Sequence, residues 1–190
     1  MNRQELEHIV RAAAGITGEN EFIIIGSQSI LGKFPDAPRT LRQSMEADIY
    51  PKARTELADL ISGSIGEYST FHNTFKYYAD GVGPNTATLP DGWETRLIHF
   101  SNENTHNAVA SCLDPLDLAY SKLAAGREKD LEFVGELCRY HLIKPSALLA
   151  LLEQTLEEPL KKTMLERWQV VLAKERRMNA QSIKSPGIKP

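Results

Sequence analysis

Between Phe22 and Pro51 the chain reads FIIIGSQSILGKFPDAPRTLRQSMEADIYP, and this stretch narrows the folds open to it. Phe22, Ile23, Ile24 and Ile25 are apolar with no polar alternation, so they predict a strand buried on both faces at the centre of a sheet. Gly26 and Ser27 end the run. Pro35 and Pro38 keep the segment from Lys33 to Thr40 out of regular structure, and Met45 to Tyr50 then predicts a second strand. Glu46 and Asp48 stand two positions apart on it and share a face, because strand side chains repeat with period two.

Two carboxylates about 5–7 Å apart on a strand face repel each other unless a cation lies between them, and a hard divalent ion such as Mg²⁺ takes oxygen ligands. The Gly26-Ser27 turn offers close backbone approach and a hydroxyl, both suited to a phosphate chain. The competing reading of Glu46 and Asp48 is a solvent-facing edge strand that carries two acids.

With 190 residues the chain is expected to form one domain, or a core with a small helical extension, and to bury roughly two-thirds of its unfolded surface. No apolar run approaches the ~20 residues that span a bilayer, so no membrane association is expected. The charged opening MNRQELEHIV has no signal-peptide hydrophobic region, which makes a cytoplasmic location the expectation. Cys112 and Cys138 have no CxxC spacing and are expected to be reduced thiols. A net charge of −3 argues against broad nonspecific nucleic-acid binding and leaves room for a local basic patch.

Taken in order, Asn2 and Glu5 read as an N-cap with its reaching partner, and Leu6, Ile9, Val10 and Ala13 form one helical stripe that Gly15 should end. Ser27 to Leu31 predicts one or two helical turns. Pro51 is expected to close the second strand and open a helix through Ala53, Leu57, Leu60 and Ile61. The aromatic-dense segment EYSTFHNTFKYYADGVG, from Glu67 to Gly83, is read as a lid or side wall of the site, with His72 packed among its aromatics. Thr86–Leu89 and Thr95–Phe100 read as a hairpin around the turn residues Pro90, Asp91 and Gly92, and Ala108–Leu113 as a last short strand. From Asp114 onward the pattern is helical: a helix capped by Asp114-Pro115 and interrupted by Gly126, a second over Asp130–Tyr140, a leucine-rich third over Ser146–Leu156 and a final one from Pro159 towards Met178. The expected organisation is a core over 1–113, a helical region over 114–179 and a disordered tail over 180–190.

A second chemical signal lies in DPLDLAYSKLAAGREKDLEF. On a straight helix Lys122, Gly126 and Lys129 would share a face, and Lys122, Arg127 and Lys129 together could neutralise a triphosphate; the alternative is a solvated charged face with internal ion pairs. The histidines show no metal-ligand spacing, and neither a GxSxG elbow nor a Walker loop occurs.

The strand, Gly26-Ser27 turn and Glu46-x-Asp48 strand resemble the nucleotidyltransferase superfamily of the DNA polymerase β type. The pattern Asp117-Leu118, Lys122-Leu123, Ala125, Arg127 and Lys129-Asp130 is similar to that of bacterial nucleotidyltransferase-like proteins related to AbiEii-type toxins, and LPDGWETRL and FHNTFKYYADGV are similar to an uncharacterised branch of that superfamily. The resemblance covers roughly Phe22 to Leu137. It implies an α+β fold, a polymerase-β-like mixed sheet flanked by helices and followed by a helical region. It also implies Gly26 and Ser27 at the phosphates, Glu46 and Asp48 at Mg²⁺, and Lys122 on nucleotide phosphate, with Arg127 and Lys129 beside it. The implied activity is transfer of a nucleotidyl group from an NTP to an acceptor hydroxyl, with tRNA or protein as candidate acceptors and an antitoxin as a candidate partner. Two features depart from the family pattern: Glu46 stands where an aspartate is usual, and the third carboxylate of the superfamily has only Glu94, Glu103 and Asp114 as candidates. A noncatalytic nucleotide-binding pseudoenzyme and a structural partner-binding protein are the alternatives.

Overall fold

A computed structural model describes residues 1–155 and 157–184. The chain divides after Leu118 into two compact units.

In the first unit, helix α1 (Arg3–Thr17) opens with a capping box: Asn2 accepts from the Glu5 N–H, and Glu5 accepts from the Asn2 N–H. Its stripe of Leu6, Ile9, Val10 and Ala13 is fully buried. The helix ends at Gly18, in the left-handed conformation, rather than at Gly15, which lies exposed within the helix. A lone glycine costs a helix only about 1 kcal/mol, too little to end one whose buried stripe continues.

The sheet has five strands in the order β3-β2-β1-β5-β4. β1 (Glu21–Ile25) is central, pairing antiparallel with β2 (Glu46–Pro51) and parallel with β5 (Val109–Cys112). β3 (Tyr78–Gly81) pairs parallel with β2 at one edge, and β4 (Ile98–Phe100) pairs antiparallel with β5 at the other. The uninterrupted apolar run of β1 is explained by this position, with Phe22 to Ile25 buried throughout. The result is the expected mixed α+β fold, with the sheet accompanied by helices and followed by a helical region.

After β1 a 3₁₀ turn (Ser27–Ser29) leads into the short helix α2 (Ile30–Lys33), and α3 (Ala58–Ile65) and α4 (Thr70–Phe75) lie between β2 and β3. Two local expectations are corrected. Pro51 is the last residue of β2, in register with Phe22, and helical structure resumes only at Thr55. The aromatic segment, read as a lid or side wall, contains the helix α4 and the strand β3. Residues 86–89 form no strand, because the partner of β4 is β5, which leaves the Pro90–Gly92 turn to lead into a 3₁₀ turn over Trp93–Arg96.

The second unit is helical. α5 (Pro115–Ala125) starts just before the division, and its Asp114 Oδ1 accepts from the Leu116 N–H. The helix stops at Gly126, whose φ of +70° is left-handed, and α6 (Glu128–Arg139) begins two residues on, so Lys122 and Lys129 lie on separate helices. The Arg167 guanidinium donates to the Leu123 and Ala124 carbonyls at 2.7 and 2.6 Å and occupies the space a side chain at 126 would need. α7 (Pro145–Glu153) and α8 (Glu158–Lys184) complete the unit, burying Leu148, Leu152, Met164, Trp168 and Val171. α8 continues through residues 180–184, the first part of the segment expected to be a disordered tail; residues 185–190 lie outside the described residues. Cys112 and Cys138 are free thiols, and among the described residues no helix is long and apolar enough to cross a membrane.

Candidate metal site

Along β2, Ala47 and Ile49 are buried while Glu46 and Asp48 are half-buried on the opposite face, the period of two read from the sequence. The parallel register of β2 with β3 sets Glu46 beside Tyr78 and Asp48 beside Asp80. Paired residues in a sheet point to the same side, so three carboxylates converge: ligand oxygens of Glu46, Asp48 and Asp80 all lie within 4.8 Å of one another. This three-oxygen donor set matches a hard divalent cation such as Mg²⁺ and offers nothing to a soft metal. Three anions this close repel in a half-buried setting, and a cation among them removes that repulsion.

Asp80 is the third carboxylate, and the sequence candidates for that place lie elsewhere. Glu94 and Glu103 are exposed on 3₁₀ turns, and Asp114 caps α5 while accepting from Lys33 Nζ at 2.9 Å. The signal for Asp80 was in Tyr78-Ala79-Asp80, a short alternation with Ala79 buried and its neighbours not, obscured by the aromatic density around it. α3 braces this edge strand. Ser62 Oγ donates to Asp80 Oδ1 at 3.1 Å and accepts the Gly81 N–H at 2.7 Å, and a Cβ at Gly81 would lie 1.9 Å from the Ala58 carbonyl oxygen.

The turn after β1 closes the site from the other side. Ile25 is in register with Asp48, and Gly26 follows with φ +68° and ψ −168°, a combination essentially restricted to glycine. A Cβ built on Gly26 would lie 1.8 Å from Asp48 Oδ2. The Gly26 carbonyl accepts from Ser29 Oγ at 2.8 Å and from the Ser29 N–H at 3.2 Å, which fixes the turn, and Gln28 Nε2 ties it to the Ser44 carbonyl ahead of β2. Ser27 follows Gly26 directly, half-buried at the head of the 3₁₀ turn.

Tyr78 borders the triad, its phenol oxygen 3.5 Å from Glu46 Oε2. Desolvation, together with the Glu46 carboxylate, pushes its phenol up to about 12, so the neutral form that can donate to Glu46 persists across the physiological range.

Lys122, Arg127 and Lys129 belong to the helical unit. Lys122 Nζ donates to Asp130 Oδ1 at 3.0 Å and Arg127 Nε to Asp130 Oδ2 at 2.6 Å, so the two share one buried carboxylate; Lys129 is exposed. Burial would raise the Asp130 carboxyl, and the hydrogen bonds from Arg127 and Lys122 outweigh it and hold the group below its ordinary value.

A family model described as "Nucleotidyltransferase of unknown function (DUF6036)" matches residues 4–180. No curated protein and no solved structure matches the chain.

Proposed function

Because the chain belongs to the DUF6036 family of nucleotidyltransferases, we propose that it transfers a nucleotidyl group from an NTP to an acceptor hydroxyl with Mg²⁺ held by Glu46, Asp48 and Asp80. The observation that carries this reading is the convergence of the three carboxylates against the Gly26 turn. In the proposed step the acceptor oxygen bonds to the α-phosphorus, the bond to the bridging oxygen of the β-phosphate breaks, pyrophosphate leaves, and the hydroxyl proton passes to a carboxylate oxygen of the triad or to water. Mg²⁺ supplies charge neutralisation at the phosphate oxygens.

The chain's own contributions follow from its geometry. Gly26 lets Asp48 Oδ2 stand against the backbone of the turn, and Ser27 next to it offers a hydroxyl to a phosphate oxygen. Ser62 orients Asp80, and Tyr78 flanks Glu46. Among the described residues β3 is an edge strand of the sheet, and Asp80 on it is half-buried.

Incubation with each α-³²P-labelled NTP and Mg²⁺ or Mn²⁺, in the presence of bulk RNA, protein lysate or small hydroxyl compounds, tests the reading. Label transfer or pyrophosphate release that vanishes with Asp48→Asn and Asp80→Asn supports it. Absence of metal-dependent NTP binding sinks it, and binding without transfer to any acceptor would recast the protein as a nucleotide binder. An RNA end or a protein as acceptor, and action as a cytoplasmic toxin beside an antitoxin, rest on the family resemblance alone. Growth arrest on induced expression, relieved by Asp48→Asn, is the outcome expected of that setting.

A further inference from the structure

The aromatic segment ahead of Asp80 splits into two groups with different surroundings. Phe71, Phe75 and Tyr77 pack on His8 of α1, with ring centroids 5.0, 4.6 and 6.0 Å from it and the Tyr77 phenol 2.8 Å from His8 Nδ1. That group joins α4 to α1. Tyr68, His72 and Tyr78 form a second row. The His72 ring lies 4.6 Å from Tyr78 at a 43° tilt and 6.3 Å from Tyr68 at a 46° tilt, and Tyr78 ends the row at Glu46.

Tyr68 at the outer end is 79% exposed, the most exposed large hydrophobic side chain among the described residues, and its φ of +64° is a left-handed conformation that tyrosine seldom adopts. The backbone around it is fixed rather than loose. The Tyr68 N–H donates to His72 Nδ1 at 3.0 Å, the Tyr68 carbonyl accepts from Asn73 Nδ2 at 3.3 Å, and Ser69 caps α4 through the His72 N–H. A chain that spends strain and three hydrogen bonds to present an aromatic ring to solvent, in a row that leads to a metal-binding carboxylate, matches a stacking surface for a flat π-system.

We propose that Tyr68, His72 and Tyr78 are a nucleobase platform for the nucleotide or acceptor whose phosphate is handled at Glu46, Asp48 and Asp80. The inference rests on the nucleotidyltransferase reading and adds where the base lies and which side chains hold it. Stacking of this kind tolerates any base, so the platform supplies affinity more than base selectivity. The base has two possible sources, the incoming NTP and the terminal nucleotide of an oligonucleotide acceptor, and the chemistry of recognition is the same for both.

Titration calorimetry on the full chain with Mg²⁺ and three probes separates the outcomes: a non-hydrolysable ATP analogue, inorganic tripolyphosphate, and a short RNA with a free 3′ hydroxyl. Tyr68→Ala keeps the same backbone constraint and removes the ring. It should weaken one base-bearing probe by roughly 5- to 100-fold, leave tripolyphosphate unchanged, and be rescued by Tyr68→Phe. The probe that weakens identifies the source of the base. Equal affinities of wild type and Tyr68→Ala for both base-bearing probes, or an equal loss for tripolyphosphate, overturns the platform. Wild-type binding that Asp48→Asn does not weaken instead overturns the metal-site reading beneath it, and a wild type that binds none of the probes overturns both.

Discussion

Asp48 occupies the space that a side chain on Gly26 would fill: its Oδ2 lies 1.8 Å from where the Cβ would stand. The Gly26-Ser27 turn and the acidic strand are therefore one device. The left-handed glycine brings the backbone against the carboxylate, and no other residue at 26 satisfies both the dihedral angles and the contact.

Gly26→Ala is expected to cost about 1–3 kcal/mol of stability from backbone strain alone, with a further loss from displacement of Asp48. Chemical denaturation measures the first effect, and the Mg²⁺ dependence of the melting temperature measures the second. A variant with native stability and native metal response would show that the turn and Asp48 are not coupled.

Mg²⁺ or Mn²⁺ is expected to stabilise the wild-type protein, by about 2.7 kcal/mol at a concentration a hundred times the dissociation constant, and chelation should reverse the gain. On the proposed function, Asp80→Asn should abolish this response and lower transferase activity by roughly 100-fold or more, since it removes one of the three carboxylates proposed to hold the cation. Glu94→Gln and Glu103→Gln, which alter exposed residues on 3₁₀ turns, should leave both readings at the wild-type level.

Ser62→Ala removes the donor to Asp80 Oδ1 and the acceptor for the Gly81 N–H while leaving every carboxylate in place. The expected result is a stability loss of about 1 kcal/mol and a metal affinity weakened by roughly 10- to 100-fold. Ser62→Thr, which keeps the hydroxyl, should restore affinity, and an unaltered metal affinity in Ser62→Ala would remove Ser62 from the positioning of Asp80.

Asp130 gives a pH prediction. Its carboxyl is held below the ordinary value of 3.8, so the folded state binds that proton less readily than the unfolded state, and the stability it contributes is present above pH 3.8 and lost as pH falls through the folded value. Melting curves of wild type and Asp130→Asn should therefore differ at neutral pH and draw together only as pH falls below 3.8 and through the folded-state value. Lys122→Ala should cost about 1–3 kcal/mol, because it strips one charged partner from a buried carboxylate, and NTP affinity measured on the same variant reads whether Lys122 also reaches a phosphate.

Much of the fold and part of the candidate site were legible along the chain because they depend on neighbours in sequence. The unbroken apolar run of Phe22–Ile25 marked the central strand, the spacing of Glu46 and Asp48 put both on one face, and Asn2 with Glu5 marked the start of α1. Each signal is carried by backbone periodicity or a local cap, which a few residues suffice to express.

The tertiary structure decided the rest. Asp80 joins Glu46 and Asp48 only because β3 pairs parallel with β2 in one register, and a slip of one residue would turn its carboxylate to the opposite face. The strand that pairs with β4 is β5 rather than residues 86–89, a choice between segments that local pattern cannot make. Gly126 marked an interruption of the helix in the sequence, and the fold decided that both Lys122 and Arg127 turn onto the one carboxylate of Asp130. Strand pairing and ion pairing are settled by which distant groups the folded chain brings within reach, and spacing along the sequence holds no measure of that distance.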